Sequence, residues 1–296
     1  MSPPVFEDAA MSAAPFRFVL CADDYALSPA VSRGIREALA AGRLSATSVM
    51  TTQAGWASEA AALREVATRA DVGLHFNLTL GAPLGPTPIL APNGRLPGIS
   101  ALMAASRAGK LPQAEIAAEL GRQLDAFERH WGWPPDFVDG HQHVQILPGA
   151  SEPFLAELTR RGLAGKVWLR DSGDKPLRTI QRGVELKKAL GVAFLGRAFA
   201  GRARAAGFAV NDGFSGFSSF DAARDYAADF VRYLKAPGTR HLVMCHPGHV
   251  DEELARLDPV TGSRERELAF LMSDAFTQAL ARDKARLGRF AELGAP

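Results

Sequence analysis

Four short polar clusters, each following an apolar run, hold most of the residues in this chain that could do chemistry. Phe18-Val19-Leu20-Cys21-Ala22 runs into Asp23-Asp24-Tyr25, and Val72-Gly73-Leu74 runs into His75-Phe76-Asn77. Phe137-Val138 leads to Asp139-Gly140-His141-Gln142-His143, and Val243-Met244-Cys245 leads to His246-Pro247-Gly248-His249. Apolar runs of this length, rich in β-branched and aromatic residues, read as buried strands. A carboxylate buried without a partner costs several kcal/mol, so Asp23 and Asp24 should face a polar site. Taken singly, each cluster has a plain explanation: an acidic pair caps a helix, and a lone histidine is a hydrogen-bonded core residue. The joint pattern is harder to dismiss, because five of the seven histidines (His75, His141, His143, His246 and His249) lie at these polar ends.

Successive side chains on a strand point to opposite faces. If the strand frays at its end, both carboxylates can lean into one cleft, one to hold a cation and the other to move a proton. On a strand, the two imidazoles of His141-Gln142-His143 would share a face and could ligate one metal. One carboxylate with two imidazoles and open positions suits Zn²⁺, Mn²⁺ or Fe²⁺, whereas Mg²⁺ prefers oxygen ligands. Such an ion would polarise a carbonyl and acidify a water. A second carboxylate could then serve as general base and a histidine opposite as general acid. These are the parts needed to hydrolyse an amide. His130, at a helix end before Pro134-Pro135, receives no role.

The elements that must position these residues alternate between strand and helix, with no hairpin turn signals. Ser28-Pro29 reads as a helix cap followed by proline in the first turn. Helices are expected over Trp56–Ala70, Gln113–His130, Pro153–Arg161, Arg178–Leu190, Ala198–Ala206 and Phe220–Leu234, with one long helix over Ser263–Arg282. Further strands are expected at Ala46–Thr51, Lys166–Arg170, Val210–Phe214 and Gly288–Ala291. The loose stretch Gly81–Pro112 is too long for a plain connection and reads as a lid or substrate wall. This rhythm predicts an α/β fold, a distorted, TIM-like (β/α) barrel of about seven parallel strands. In such barrels the functional residues sit at the C-terminal ends of the strands. A single domain over residues 16–296 is expected, preceded by a disordered lead over 1–15 in which Met11 is an alternative start.

Composition bounds the function. A net charge of +2 over 296 residues gives no electrostatic case for nucleic acid. Arg197, Arg202 and Arg204 cluster near Phe199 and read as a solvated helix face. No apolar stretch is long enough to span a bilayer, and the first fifteen residues do not resemble a secretory signal. With only Cys21 and Cys245 present, a disulfide framework is not expected, and a reducing, cytoplasmic setting is the default. Both cysteines read as small buried hydrophobes.

Several segments together resemble the YdjC-like (ChbG/HpnK) carbohydrate deacetylases. They are Ala22-Asp23-Asp24-Tyr25-Ala26-Leu27-Ser28, Gly73-Leu74-His75-Phe76-Asn77-Leu78-Thr79, Val138-Asp139-Gly140-His141-Gln142-His143 and Cys245-His246-Pro247-Gly248. Leu44-Ser45-Ala46-Thr47-Ser48 and Arg264-Glu265-Arg266-Glu267-Leu268 also match. The resemblance runs from about Phe16 to the last helix. It implies a barrel variant, one divalent metal (Mg²⁺ first, with Zn²⁺ or Mn²⁺ as alternatives) and removal of acetyl from an N-acetylated sugar, either chitooligosaccharide-like or glycolipid-linked. By the same resemblance Asp24, His75 and His141 would hold the metal, Asp23 would be the general base and His246 the general acid. His143, Asp139, Arg170 and Asn77 would surround them or touch substrate. Three positions depart from the family's commoner pattern: Tyr25-Ala26 replaces Phe-Gly, Gly140 replaces Ser, and Gln145 replaces a further histidine. The competing readings are a metal-dependent phosphoesterase or other amidohydrolase on a related barrel, and a sugar-binding protein with a structural metal. A homodimer is left open.

Overall fold

The first apolar run becomes the middle of the sheet. In the computed structural model, which describes residues 15–221 and 223–294, strand β1 (Phe16–Tyr25) buries Phe18 through Ala22 completely. One edge of β1 pairs with β8 (His241–Cys245) and the other with β2 (Ala46–Val49). Its unbroken apolar sequence follows from this position, since a parallel sheet covered by helices has no wet face. Beyond β2 lie β3 (Asp71–Phe76), β4 (Phe137–Gly140), β5 (Trp168–Leu169) and β6 (Ala209–Val210). Beyond β8 lies β7 (Phe214–Ser215), and β9 (Ala285–Leu287) pairs with the start of β1. Every ladder is parallel.

The architecture is the expected distorted β/α barrel. Nine strands rather than about seven compose it among the described residues, partly because one expected strand is two. The expected final strand at Gly288–Ala291 lies earlier, at Ala285–Leu287. All of the expected lead except Pro15, including Met11, falls outside the described residues.

Alternation along β1 creates two cores. Phe18, Leu20 and Ala22 pack outward against the helices, while Val19 and Cys21 point inward with Phe137, Trp168, Phe214 and Met244. Inside the barrel, Phe137, Trp168 and Phe290 form a stack with centroid spacings of 4.1 and 4.6 Å. Asp23 continues the inward series of Val19 and Cys21, so it caps the barrel interior.

The stretch expected as one strand over Val210–Phe214 is two strands at opposite ends of the sheet. Asn211-Asp212-Gly213 turns the chain from β6 to β7, with Gly213 at φ +117°. Asn211 joins the two ends. Its side-chain oxygen accepts from Asp171 N at 2.7 Å, and its amide donates to Asp171 O at 2.9 Å and to Gly213 O at 3.1 Å. The side chain thus supplies pairing that a ladder would otherwise provide.

The helices also break where the sequence read as continuous. Ser263–Arg282 is two helices, Gly262–Met272 and Asp274–Arg282, parted at an extended Ser273. Phe270 and Phe276 both reach Phe230, at 5.1 and 5.4 Å. In one straight helix, six residues apart, they would diverge by about 120°. Arg178–Leu190 is likewise divided into Pro176–Arg182 and Leu186–Leu195 by Gly183 and Glu185, both at positive φ. The helix read as starting at Phe220 begins at Tyr226, capped by Asp225.

Asn211→Ala removes three hydrogen bonds at a buried position. It should lower the free energy of unfolding by about 2–4 kcal/mol, read from urea denaturation with an unchanged m value. A loss under half a kcal/mol would mean that the junction of β6 and β7 does not depend on this side chain.

Candidate active site

Both carboxylates at the end of β1 face one cavity, and the backbone shows how. The pairing register with β2 shifts between Ala22 and Tyr25, and Asp24 sits at φ +69°. A left-handed aspartate is uncommon but tolerated. It turns Asp24 from the outward face, where strict alternation would send it, onto the rim beside Asp23.

Asp24 Oδ1 lies 3.0 Å from His141 Nδ1 and 3.4 Å from His75 Nε2. One ligand atom from each of these three buried residues lies within 4.8 Å of the others. His75 is oriented from behind: its Nδ1 is 2.6 Å from Asp139 Oδ1 and 3.0 Å from Ser48 Oγ. A carboxylate at Nδ1 assigns a proton there and turns Nε2 toward Asp24, where a cation would take the place of the Nε2 proton. Arg264 donates to Asp24 Oδ2 at 2.7 Å, leaving Oδ1 as the free donor atom. Two imidazoles and one carboxylate fit a divalent ion, and two of the three, His75 and Asp24, are held by a second partner.

Asp23 is set differently. Arg170, fully buried, donates to both of its oxygens at 2.6 Å, to Cys21 Sγ at 3.0 Å, and pairs with Asp139 at 2.6 Å. Burial alone would raise the Asp23 carboxyl. The Arg170 guanidinium, with His75 and His246, more than reverses this and holds it well below the usual carboxylate range. Asp24 is also held down: burial is opposed by Arg264 and His141. Burial pushes His75 down, but Asp139 and Asp23 outweigh it and hold the imidazole up at about 10. The same surroundings therefore favour positive charge at this point.

His246 closes the other side of the cavity, with Nε2 3.9 Å from Asp23 Oδ2 and its ring against Phe220 at 5.1 Å. Burial lowers it to about 4, so it is neutral at pH 7. Its backbone N–H donates to the buried Glu267 at 2.6 Å, and burial pushes Glu267 up to about 7.

The cavity measures about 690 Å³. The site residues form its floor. Its walls are largely aliphatic: Ile99 and Met103 from the helix Ile99–Arg107, Ile146 and Leu147 after β4, and Val192 and Leu195 from the helix Leu186–Leu195. The stretch Gly81–Pro112 thus contributes wall, as expected.

Asp23, Asp24, His75, His141, His246, Asp139 and Arg170 are brought together. Two expected residues behave otherwise, as does His249, to which no role was given. His143 does not share a strand face with His141, because β4 ends at Gly140 and Gln142 and His143 both adopt positive φ. The ring of His143 packs on Phe214 and Phe217, although it still borders the cavity. Asn77 lies off the cavity and closes a loop: its side chain accepts from Thr79 N and Leu80 N and donates to Thr52 and Leu80 O. His249 is at the surface, paired with Glu37 at 2.8 Å. Sequence reasoning gave no role to Arg264, Glu267 or Ser48. Arg264 and Glu267 belong to a segment that the family resemblance marked without giving either a role, and their burial shows what they hold.

The fold and site define a β/α-barrel protein with a buried carboxylate–imidazole centre open to a deep cavity. The sequence profile of the YdjC-like protein family matches residues 17–282, and the chain belongs to that family. It is 33% identical over 281 residues to a chitooligosaccharide deacetylase of Enterobacter sp. (strain 638), covering 93% of this chain and 98% of that one. It is 32% identical over 264 residues to a human carbohydrate deacetylase, covering 81% and 77%. A crystal structure from Enterococcus faecalis V583, provisionally described as a cellobiose-phosphate cleavage protein, shares the fold with a TM-score of 0.72 at 21% identity. That likeness covers 95% of this chain and all of the other.

Two of the departures noted in the sequence are neighbours in space. A Cβ at Gly140 would stand 2.5 Å from Gln145 Oε1 and 3.1 Å from Gln145 N. Gln145 is itself buried and donates to Arg170 O and Ser172 Oγ. Gly140→Ala should therefore cost about 1–3 kcal/mol by overpacking. In a Gln145→Ala background the penalty should shrink, and equal penalties in a double-mutant cycle would show that the two positions are independent.

Proposed function

We propose that the protein is a metal-dependent hydrolase that removes the acetyl group from an N-acetylated amino sugar. The observation that carries this reading is the placement of Asp23 and His246 beside the Asp24–His75–His141 cluster on one cavity floor. The deacetylase relatives support the reaction class. The N₂O donor set suits Zn²⁺ or Mn²⁺ better than Mg²⁺, which takes oxygens.

A divalent ion held by Asp24, His75 and His141 would polarise the acetamide carbonyl and acidify a water. The remaining work falls to the chain's own side chains. Hydrolysis bonds a water oxygen to the acetyl carbon, breaks the C–N bond and moves one proton from water to nitrogen. Asp23, kept ionised by Arg170, is available to accept that proton. Its low pKa makes it a poor resting place for a proton, and neutral His246 stands 3.9 Å away to receive it. His246 then donates to the departing amine. Asp139 and Ser48 keep the His75 ring turned, and Arg264 fixes Asp24.

The aliphatic walls favour the glycolipid-linked alternative for the substrate. Ile99, Met103, Ile146, Leu147, Val192 and Leu195 offer surface to an alkyl-like aglycone, with Arg107, Gln142, Lys187, Lys188 and Asp258 as the polar side chains beside them. No helix among the described residues is long and apolar enough to cross a membrane. The two unpaired cysteines support a cytoplasmic setting.

Asp24→Ala and His75→Ala should lose bound metal on dialysis, measured by elemental analysis, and lose acetate release with it. Asp23→Asn should keep the metal while its rate falls roughly 10²–10⁴-fold. A wild-type rate in that variant would leave His246 as both base and acid. Asp139→Ala should weaken metal binding by roughly 10–100-fold, read by competition with a chelating dye. Unchanged affinity would show that the carboxylate behind His75 does not orient it for the ion.

A further inference from the structure

Residues 175–204 carry eight lysines and arginines and a single acid, Glu185, for a net +7 in a chain whose total is +2. This segment folds as three short helices, Pro176–Arg182, Leu186–Leu195 and Phe199–Ala205. It also concentrates exposed apolar side chains. Eight large hydrophobic residues are exposed among the described residues, and four of them are here: Leu177 at 75%, Phe194 at 65%, Ile180 at 54% and Leu186 at 36%. Leu177 and Ile180 share a helix face by their three-residue spacing.

Three of the eight cations are salt-bridged to carboxylates outside the segment: Arg178 to Asp174 and Asp212, Arg182 to Asp174, and Arg202 to Glu152. Lys175, Lys187 and Arg197 pair with no carboxylate among the described residues. Arg197 instead lies over the Phe194 ring at 4.5 Å. Phe194 and Lys187 stand at the cavity mouth, and Arg107, which also has no carboxylate partner among the described residues, borders the same cavity from another helix.

We propose that this face is a peripheral docking surface for an anionic lipid bilayer. Leu177, Ile180 and Phe194 enter the interface, and Lys175, Lys187 and Arg197 meet the headgroups. Interleaved exposed aliphatic and unpaired basic side chains are what an interfacial helix presents to such a surface. A second copy of the chain is a poor occupant, because it would set two strongly basic faces against each other. Nucleic acid would match the charge but not the aliphatic side chains. The apolar cavity wall runs to this face, so docking would bring the cavity mouth to the membrane surface. That role rests on the glycolipid-linked reading above, whereas the binding itself does not.

The test is partition of the full-length protein onto phosphatidylcholine vesicles with and without phosphatidylglycerol, by cosedimentation at low and high salt. Binding should require phosphatidylglycerol and weaken with salt. The double variant Lys175→Glu/Arg197→Glu should bind at least about 30-fold more weakly. Leu177→Glu/Ile180→Glu should lose about tenfold or more. None of these four residues borders the cavity, so both variants should keep the wild-type circular dichroism spectrum and acetate release from a water-soluble N-acetyl sugar. Absence of binding to anionic vesicles at low salt would overturn the proposal, as would variants that bind like wild type. Dimerisation lost in Leu177→Glu/Ile180→Glu, without vesicle binding, would assign the face to a second copy. Failure of acetate release in the wild type would count against the deacetylase reading alone, since partition is measured without turnover.

Discussion

Arg170 between Asp23 and Asp139 is the contact on which the rest of the rim depends. Each side chain is buried, and a charge taken out of water costs several kcal/mol unless it is paired. The pairing propagates. Arg170 joins Asp23 to Asp139, Asp139 holds His75, His75 faces Asp24, and Asp24 is held by Arg264. These residues come from β1, β3, β4, the end of β5 and the helix Gly262–Met272. No single βα unit can satisfy them, so the chain of charges is complete only when the barrel has curled. Three carboxylates against two guanidinium groups leave an excess of negative charge before the imidazoles are counted. The fold's own ion pairing thus leaves the rim favourable to a cation.

Much of this was legible in the sequence, for reasons that can be given residue by residue. The apolar runs before Asp23, His75, Asp139 and His246 are long enough to read as strands, and strand ends on a β/α barrel converge. What failed were readings that assumed regular geometry past a strand's end. His141 and His143 part because Gln142 and His143 are left-handed. Asn77, just beyond β3, turns back to bind its own loop. Val210–Phe214 contains a break that carries the chain from one end of the sheet order to the other, which only Gly213 hints at. Arg264 and Glu267 lie in a run that the resemblance marked, but nothing local in Arg-Glu-Arg-Glu says that its first and last members face a core.

The site's departures from the family's commoner residues follow a similar logic. Gly140 and Gln145 occupy one volume, so neither can be interpreted alone. Gln145 fills the space that a side chain at position 140 would need, and it ties that space to Arg170 O. The path from this pair to the Asp23 clamp is therefore short. Tyr25 is engaged on the other side of β1, where its hydroxyl accepts from Arg36 at 2.9 Å and donates to Glu59 O at 2.9 Å. It stiffens the segment that carries Asp24 without entering the cavity.

The barrel is asymmetric, and the two sides contribute differently to the cavity. β1, β3, β4 and β8 have four to ten residues each and carry most of the floor of the cavity at their ends. β5, β6 and β7 have two residues each. On that side side-chain clamps such as Asn211 supplement so short a ladder, and three short helices follow β5. A ladder of parallel strands fixes the residues at its ends to within a fraction of an ångström, as positioned acid, base and ligand groups require. Short helices packed on one another tolerate changes of side chain and tilt. It is the helical side that supplies Val192, Leu195 and Phe194 to the cavity and presents the basic, apolar face to the outside. The longer strands thus carry most of the cavity floor, and the short helices carry much of its wall.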